Sequence, residues 1–183
     1  VNYQPEEMMK IEIARGGGGL RLRVREIFES YKILTRQTAD SIIATIDTNN
    51  YFYSNTIHGT IIKDDTFEIK FILSILNSNV LKYYYRQTTS EGGKVFAQVK
   101  IEILRQMPIK ITEKLKQTSF VILVDYLLHL YNKENPAILL HTENSRIASH
   151  LEDILNMMVY ELYFEEHMKE VDLDVLQFVT PIL

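Results

Sequence analysis

Two carboxylates and a lysine in this sequence have the residue types that a metal-dependent nuclease needs. Asp47 precedes the triplet Glu68-Ile69-Lys70, and nucleases hold Mg²⁺ with carboxylates beside a lysine. The spacing is unspecific, however, and the triplet opens a predicted helix, where charges are expected on the solvent-facing side. A nuclease that uses Asp47, Glu68 and Lys70 is therefore the last of three hypotheses, and Mg²⁺-dependent cleavage by the chain alone would support it.

Other catalytic patterns are missing from the sequence. The five histidines stand at positions 58, 129, 141, 150 and 167. No pair of them has the i, i+4 spacing of a helical zinc site, and no cysteine can complete one. There is no Gly-x-Ser-x-Gly or Gly-x-Gly-x-x-Gly motif, and no Gly-Lys-Ser/Thr follows the four glycines at 16–19, which therefore predict a plain loop. We predict no catalytic residue, no metal site and no cofactor in this chain.

The composition is that of a soluble globular protein, but its charge is unevenly divided. The 183 residues carry a net charge of −4; residues 1–111 hold 15 Lys and Arg against 12 Asp and Glu, whereas residues 112–183 hold 5 against 12. This asymmetry predicts that the two parts meet different surroundings. The chain has no cysteine, no signal peptide and no apolar run near the ~18–20 residues that span a bilayer. We expect a cytoplasmic protein without a membrane segment and, since no initiator Met is present, a fragment of a longer chain.

Residues 1–111 are predicted to contain both strands and helices. Alternating or β-branched runs predict strands within 21–25, 32–37, 41–47, 51–53, 56–62 and 95–99, with a hairpin joining the second and third of these. From Glu68 to Tyr85 the apolar residues recur every three or four positions, which predicts a helix ending at Asn77 and another starting on Ser78. One or two helical turns follow at 101–106.

Residues 112–183 are predicted to be all helical. One helix covers 112–131, with Ser119 as a candidate break, and a long amphipathic helix runs from Glu143 to about Glu170. The predicted fold class is α+β: a domain at 1–111 with a small mixed sheet and helices, followed by an all-helical C-terminal segment at 112–183.

The order of several segments carries a resemblance to a known family. These segments are the entry strand within 28–37, the apolar run 71–78, the aromatic triplet 83–85, Gly92-Gly93, and the stretch 96–109 with its Met107-Pro108-Ile109 close. In this order they resemble the TaqI-like C-terminal specificity domain of DNA adenine methyltransferases and fused restriction–modification enzymes. The segments 120–125 and 158–163 are similar to the helices that usually follow that domain.

The resemblance implies recognition without catalysis in this chain. It implies that a separate N-terminal domain, before Val1, transfers a methyl group from S-adenosylmethionine, with Mg²⁺ expected where the parent chain also cleaves DNA. The Asn-Pro-Pro-Tyr motif of such a domain is absent, since Asn135-Pro136 is followed by Ala137. The expected partners are double-stranded DNA and the catalytic domain of the same parent chain.

The candidate DNA-binding residues occupy the family's strand and loop positions. Lys and Arg hold phosphates, while Arg and Gln can make paired hydrogen bonds to a purine edge. The candidates are Lys32, Arg36, Gln37, Thr38, Arg86, Gln87, Lys94, Gln98 and Lys100. Lys32 and Gln98 have an alternative role in stabilising the fold. The tyrosines at 83–85 can stack on bases, although at least one of them must face the core.

The acidic helical part supports a second hypothesis from a different class. A helical protein-interaction module without a nucleic-acid role would also have net acidity and an amphipathic helix at 143–170. A salt titration separates this hypothesis from DNA recognition, because phosphate contacts make affinity fall steeply with salt.

Overall fold

The computed structural model describes residues 4–14, 23–89, 94, 97–132 and 141–179. Within these ranges the chain forms nine helices and three short strands, so the predicted α+β class is confirmed. The elements, in chain order, are α1 (Pro5–Ala14), α2 (Glu26–Glu29), β1 (Lys32–Arg36), β2 (Ala44–Asp47), β3 (Ile57–Thr60), α3 (Ile69–Asn77), α4 (Asn79–Thr88), α5 (Ile101–Leu104), α6 (Lys114–Tyr131), α7 (His141–Tyr163), α8 (Glu165–Glu170) and α9 (Leu176–Val179).

The three strands form one sheet in the order β2-β1-β3. β1 pairs antiparallel with β2, with Leu34 opposite Thr45, and antiparallel with β3, with Leu34 opposite Gly59. The predicted hairpin of the first two strands is thus confirmed. Among the described residues every strand pair is antiparallel, so the mixed sheet expected from the sequence is corrected to an antiparallel one.

The segment Tyr51-Phe52-Tyr53 was predicted as a strand, and this prediction is wrong. The Asp47 carboxylate accepts hydrogen bonds from the backbone N–H groups of Asn49 and Tyr51, both at 2.9 Å, and Asn50 has a left-handed backbone with φ of 57°. These bonds fold the chain into a turn. The rings of Phe52 and Tyr53 then pack on Phe28, with centroids at 4.6 and 5.2 Å.

A second predicted strand, at 21–25, is also not found in its described part. Residues 23–25 are not in a strand, and α2 begins directly after them. Residues 21 and 22, like the glycines at 16–19, lie outside the described residues.

The junction of α3 and α4 confirms the helix boundary predicted from the sequence. Asn77 ends α3, and Ser78, with an extended backbone, is the N-cap of α4. The Ser78 hydroxyl accepts a hydrogen bond from the Leu81 amide at 3.2 Å, which satisfies one of the free N–H groups at the helix start.

The C-terminal helices differ in two respects from the prediction. α6 runs without a break through Ser119. The long helix expected to reach about residue 170 ends at Tyr163, because Phe164 leaves the helical conformation (φ −128°, ψ 45°) and α8 starts after it.

One hydrophobic core includes residues from both sides of position 111. α3 is buried along most of its length and packs against both β2 and α6, and the rings of Phe71 and Phe120 meet edge to face at 5.2 Å. A fully buried Gln117 on α6 accepts from the Glu68 amide at 2.8 Å and donates to the Thr66 carbonyl at 2.9 Å. The helical part therefore supports the helix on which the sheet rests.

Candidate nucleic-acid interface

The two predicted DNA-binding stretches meet where β1 ends. Thr38 and Gln98 are partners in an isolated antiparallel bridge. Next to it, the Val99 amide donates to the Gln37 carbonyl at 2.7 Å. The short extended segment 97–100 is thereby attached to the chain immediately after β1.

Side chains alternate along this segment, as in a strand with one buried face. Ala97 and Val99 are buried, whereas Gln98 and Lys100 are exposed. Residues 97–99 form no strand apart from the isolated bridge at Gln98, so the strand predicted at 95–99 is not found in its described part; residues 95 and 96 lie outside the described residues.

The chain at the end of β1 presents further predicted side chains. Arg36 and Thr38 are exposed and Gln37 is half-buried. The backbone at this point is held from two sides, because the Arg36 amide donates to the Ile43 carbonyl at 3.0 Å and the Gln37 amide donates to the Thr56 carbonyl at 2.9 Å. The side chains of Arg36, Gln37 and Thr38 therefore extend from a backbone that is hydrogen-bonded to its neighbours on both sides.

The last turns of α4 lie beside the same chain segment. The Arg86 guanidinium is 3.6 Å from the Asp40 carboxylate, and both side chains are more than half exposed. An exposed pair at this separation contributes little to stability, so Arg86 can exchange Asp40 for another anion at small cost. Gln87, the next residue, is exposed, and so is Lys94, whose neighbours at 90–93 lie outside the described residues.

Lys32 is the one predicted DNA-binding residue whose side chain is fully buried. Its side chain is wholly buried, its Nζ is 2.5 Å from Asp47 Oδ2, and it also donates to the carbonyls of Phe28 and Ser30. All three donors of the ammonium are thus directed at partners inside the protein. Lys32 therefore has the alternative role, in stabilising the fold, and is corrected as a DNA contact.

The Asp47 carboxylate is held in its charged form by the same cluster. Burial alone would raise its pKa, but the hydrogen bonds from Lys32 and from the amides of Asn49 and Tyr51 outweigh burial and lower the pKa below its ordinary value of 3.8.

The residues of the nuclease hypothesis each pair with a different group. Glu68 lies 2.9 Å from Lys114, and Lys70 lies 2.5 Å from Asp125, while Asp47 is bound to Lys32. In the described ranges no group of three or more His, Asp and Glu side chains is placed to hold a metal ion. Nothing in the described structure supports a nuclease site at Asp47, Glu68 and Lys70.

Two side chains bind the segment 97–100 in contacts that were not predicted from the sequence. The Tyr85 hydroxyl donates to the Gln98 carbonyl at 3.0 Å, and His58 Nε2–H donates to the Val99 carbonyl at 2.9 Å. The sequence indicated that at least one tyrosine of the triplet 83–85 faces the core. That residue is Tyr85, which is fully buried, while Tyr83 and Tyr84 are exposed. The contact of His58 depends on a pairing that is distant in sequence, and no local pattern indicates it.

A small sheet supported by helices thus carries the exposed side chains of Arg36, Thr38, Gln98 and Lys100 near the end of β1. A family model described as the TaqI-like C-terminal specificity domain matches residues 1–109, more than half of the chain. The chain therefore belongs to this family, as its resemblance indicated, and the family points to DNA target recognition in restriction–modification enzymes.

The remaining comparisons add no further relative. No significant match was found among curated proteins or among solved structures. The family match ends at residue 109, so the similarity of the segments 120–125 and 158–163 to the family's following helices stays a prediction. Among the described helices, none is both long enough and apolar enough to cross a bilayer.

Proposed function

We propose that this chain reads a specific sequence of double-stranded DNA for a restriction–modification enzyme of the type II class. The observation that carries the proposal is the bridge between Thr38 and Gln98, because it joins two predicted stretches into a single exposed surface. The surface consists of Arg36, Gln37, Thr38, Arg86, Gln87, Lys94, Gln98 and Lys100.

The side chains of this surface divide by the DNA groups they can bind. Arg36 and Arg86 have the planar donor geometry that matches guanine or a phosphate, and Gln87 and Gln98 have the donor–acceptor pair that matches adenine. Lys94 and Lys100 supply charge for the phosphates. This set combines base reading with backbone binding, which sequence-specific recognition requires.

The finer part of the proposal concerns the partner that performs the chemistry. We infer an adenine-N6 methyltransferase domain in the same parent chain, which uses S-adenosylmethionine, with a Mg²⁺-dependent endonuclease as a further activity of that parent. The acidic helical part at 112–183 faces this protein partner and not DNA, because like charges repel. Such an enzyme acts in the cytoplasm, where the cell's DNA lies.

The experiment compares matched arginine variants in the longest form of the protein that contains this chain. Binding to a panel of duplexes identifies the preferred sequence, and Arg36→Ala and Arg86→Ala are then compared with Arg146→Ala. Arg146 is exposed on α7 in the acidic part, so this control removes the same charge from a residue that is not part of the proposed surface.

The two interface variants are expected to lose affinity for the preferred duplex, about tenfold each, and the control to lose much less. Affinity and sequence preference that stay unchanged in Arg36→Ala and Arg86→Ala would show that the site is wrongly assigned. Binding of DNA that does not weaken with salt, or no DNA binding at all, would favour the helical protein-interaction module.

A further inference from the structure

The segment 97–100 carries two proposed DNA-reading side chains and is attached to the chain that follows β1. The Val99 amide donates to the Gln37 carbonyl, beside the bridge of Gln98 with Thr38. Contacts of the carbonyls in this segment with side chains of other elements add to this attachment.

Two side chains provide these contacts from two different elements. Tyr85 on α4 donates its hydroxyl hydrogen to the Gln98 carbonyl at 3.0 Å, and His58 on β3 donates from Nε2 to the Val99 carbonyl at 2.9 Å. Consecutive carbonyls of an extended chain point to opposite sides. Donors bound to the Gln98 and Val99 carbonyls therefore restrict rotation of the backbone at Val99.

We propose that Tyr85 and His58 are positioning residues that set how sharply the chain discriminates between DNA sequences, an inference that rests on the proposed function. Base discrimination needs a reading side chain held in one geometry, because a paired hydrogen bond to a base edge tolerates little displacement. Neither residue needs to touch DNA for this role.

Tyr85 has a second effect because of its position in the chain. Its ring is fully buried, and the next two residues are the proposed DNA contacts Arg86 and Gln87. The hydroxyl therefore connects the helix end that carries these contacts to the extended segment that carries Gln98 and Lys100. Loss of the hydroxyl loosens the two halves of the surface relative to each other.

The test uses Tyr85→Phe, which removes the hydroxyl and keeps the buried ring. Tyr163→Phe is the matched control, because the Tyr163 hydroxyl also donates to a backbone carbonyl, that of Pro108, on a part of the chain outside the proposed surface. For each protein, affinity is measured for the preferred duplex and for duplexes with one base pair changed, together with thermal stability.

Tyr85→Phe is expected to lower the ratio of the affinity for the preferred duplex to that for a changed duplex about fivefold. This corresponds to about 1 kcal/mol for one hydrogen bond. The dependence of affinity on salt should stay as in the wild type, because phosphate contacts are retained. Tyr163→Phe should leave this affinity ratio unchanged while it lowers thermal stability by a comparable amount. If the hydroxyl of Tyr85 had only a structural role, the two variants would behave alike in both measurements.

His58 is tested by loss and rescue. His58→Leu removes the donor and should lower discrimination, whereas His58→Gln places an amide N–H near the former Nε2 position and should restore part of it. Equal discrimination in these two variants would contradict a positioning role for His58.

The outcomes separate the inference from the proposed function. A wild-type protein that prefers no duplex overturns both. If the wild type discriminates and Gln98→Ala reduces discrimination, but Tyr85→Phe behaves like Tyr163→Phe, the positioning inference is overturned and the proposed function stands.

Discussion

Asn77 binds the backbone of Ala44 through both ends of its side-chain amide. The Ala44 N–H donates to Asn77 Oδ1 and Asn77 Nδ2 donates to the Ala44 carbonyl, each at 2.9 Å. The side chain thus occupies the place of a neighbouring strand along the outer edge of β2. Since Asn77 is also the last residue of α3, this pair of hydrogen bonds fixes the helix end relative to the sheet.

The first prediction follows from this geometry. Asn77→Asp keeps the acceptor but replaces the donor with a second oxygen, which would face the Ala44 carbonyl. We expect the free energy of unfolding, measured in urea, to fall by about 2 kcal/mol, because a bond is lost and a polar group is left unsatisfied.

Asn79→Asp is the matched control for this prediction. Asn79 is exposed at the first position of α4, where a negative charge stabilises the helix by a few tenths of a kcal/mol. Equal losses of stability in the two variants would contradict the specific role of Asn77.

The second prediction separates the two basic residues at the ends of β1. Lys32→Met leaves the Asp47 carboxylate buried without its cation, and should lower the free energy of unfolding by about 3–5 kcal/mol. Arg36→Ala removes an exposed side chain and should change stability by no more than about 0.5 kcal/mol, while it weakens DNA binding. Urea unfolding and duplex binding of both variants are the measurements, and an Arg36→Ala protein as unstable as Lys32→Met would refute the assignment.

The third prediction is a pH dependence that originates at Asp47. The pKa of this carboxyl is lowered in the folded protein from its ordinary value of 3.8, so the folded state binds its proton less readily than the unfolded state. The resulting stability is present above pH 3.8 and is lost as the pH falls through the folded pKa.

Asp47→Asn is the comparison for this pH dependence. Urea unfolding at a series of pH values should show a wild-type advantage at neutral pH that shrinks below pH 3.8, with a limiting slope of about 1.4 kcal/mol per pH unit. The exposed carboxylates are the same in both proteins, so their titration cancels in the difference. A difference that is independent of pH would show that the Asp47 charge contributes nothing.

The fourth prediction tests whether the predicted domain at 1–111 folds independently of the helical segment at 112–183. Phe120 on α6 is fully buried against Phe71 on α3, so Phe120→Ala should lower the free energy of unfolding by about 3–5 kcal/mol. Hydrogen exchange of the Ile33 amide in β1 should accelerate by the same free energy, because one core connects the two parts. Retained protection of Ile33 would show that the first domain is independent.

Local chemistry explains which parts of the fold were predictable. The start of α4 follows from a cap residue and an apolar period, both within a few residues of Ser78, and β1 follows from its β-branched alternation. Family resemblance supplied the order of the segments and the candidate DNA-binding residues, of which Lys32 is buried.

Long-range pairings explain the errors. Tyr51-Phe52-Tyr53 has strand-type residues, but the carboxylate of Asp47 binds the backbone there, and that carboxylate is buried because Lys32 pairs with it. A single lysine in a basic, alternating strand does not reveal such a partner. The contact of Tyr85 with Gln98 was missed for the same reason, because it joins two segments and neither segment alone indicates the other.

The fifth prediction concerns Tyr83, the most exposed member of the aromatic triplet, at 67%. On a helix, residues three and four positions apart share a face, so Tyr83 lies on the same side of α4 as Arg86 and Gln87. An aromatic ring beside these side chains can pack on a sugar or a base and adds contact area at low cost in side-chain entropy. Tyr83→Ala should therefore weaken duplex binding about fivefold, a loss of about 1 kcal/mol, with stability changed by less than about 0.5 kcal/mol.

Tyr126→Ala is the matched control for Tyr83, because Tyr126 is 59% exposed on α6 in the acidic part of the chain. It removes a comparable exposed ring and should leave DNA binding as it is, since that helix faces away from phosphate in the proposed arrangement. If the two variants bind the preferred duplex equally well, the α4 face is not part of the interface, and the DNA surface is confined to the end of β1 and the segment 97–100. If Tyr126→Ala is the weaker binder, the acidic part contacts DNA, and the assignment of the two parts must be exchanged.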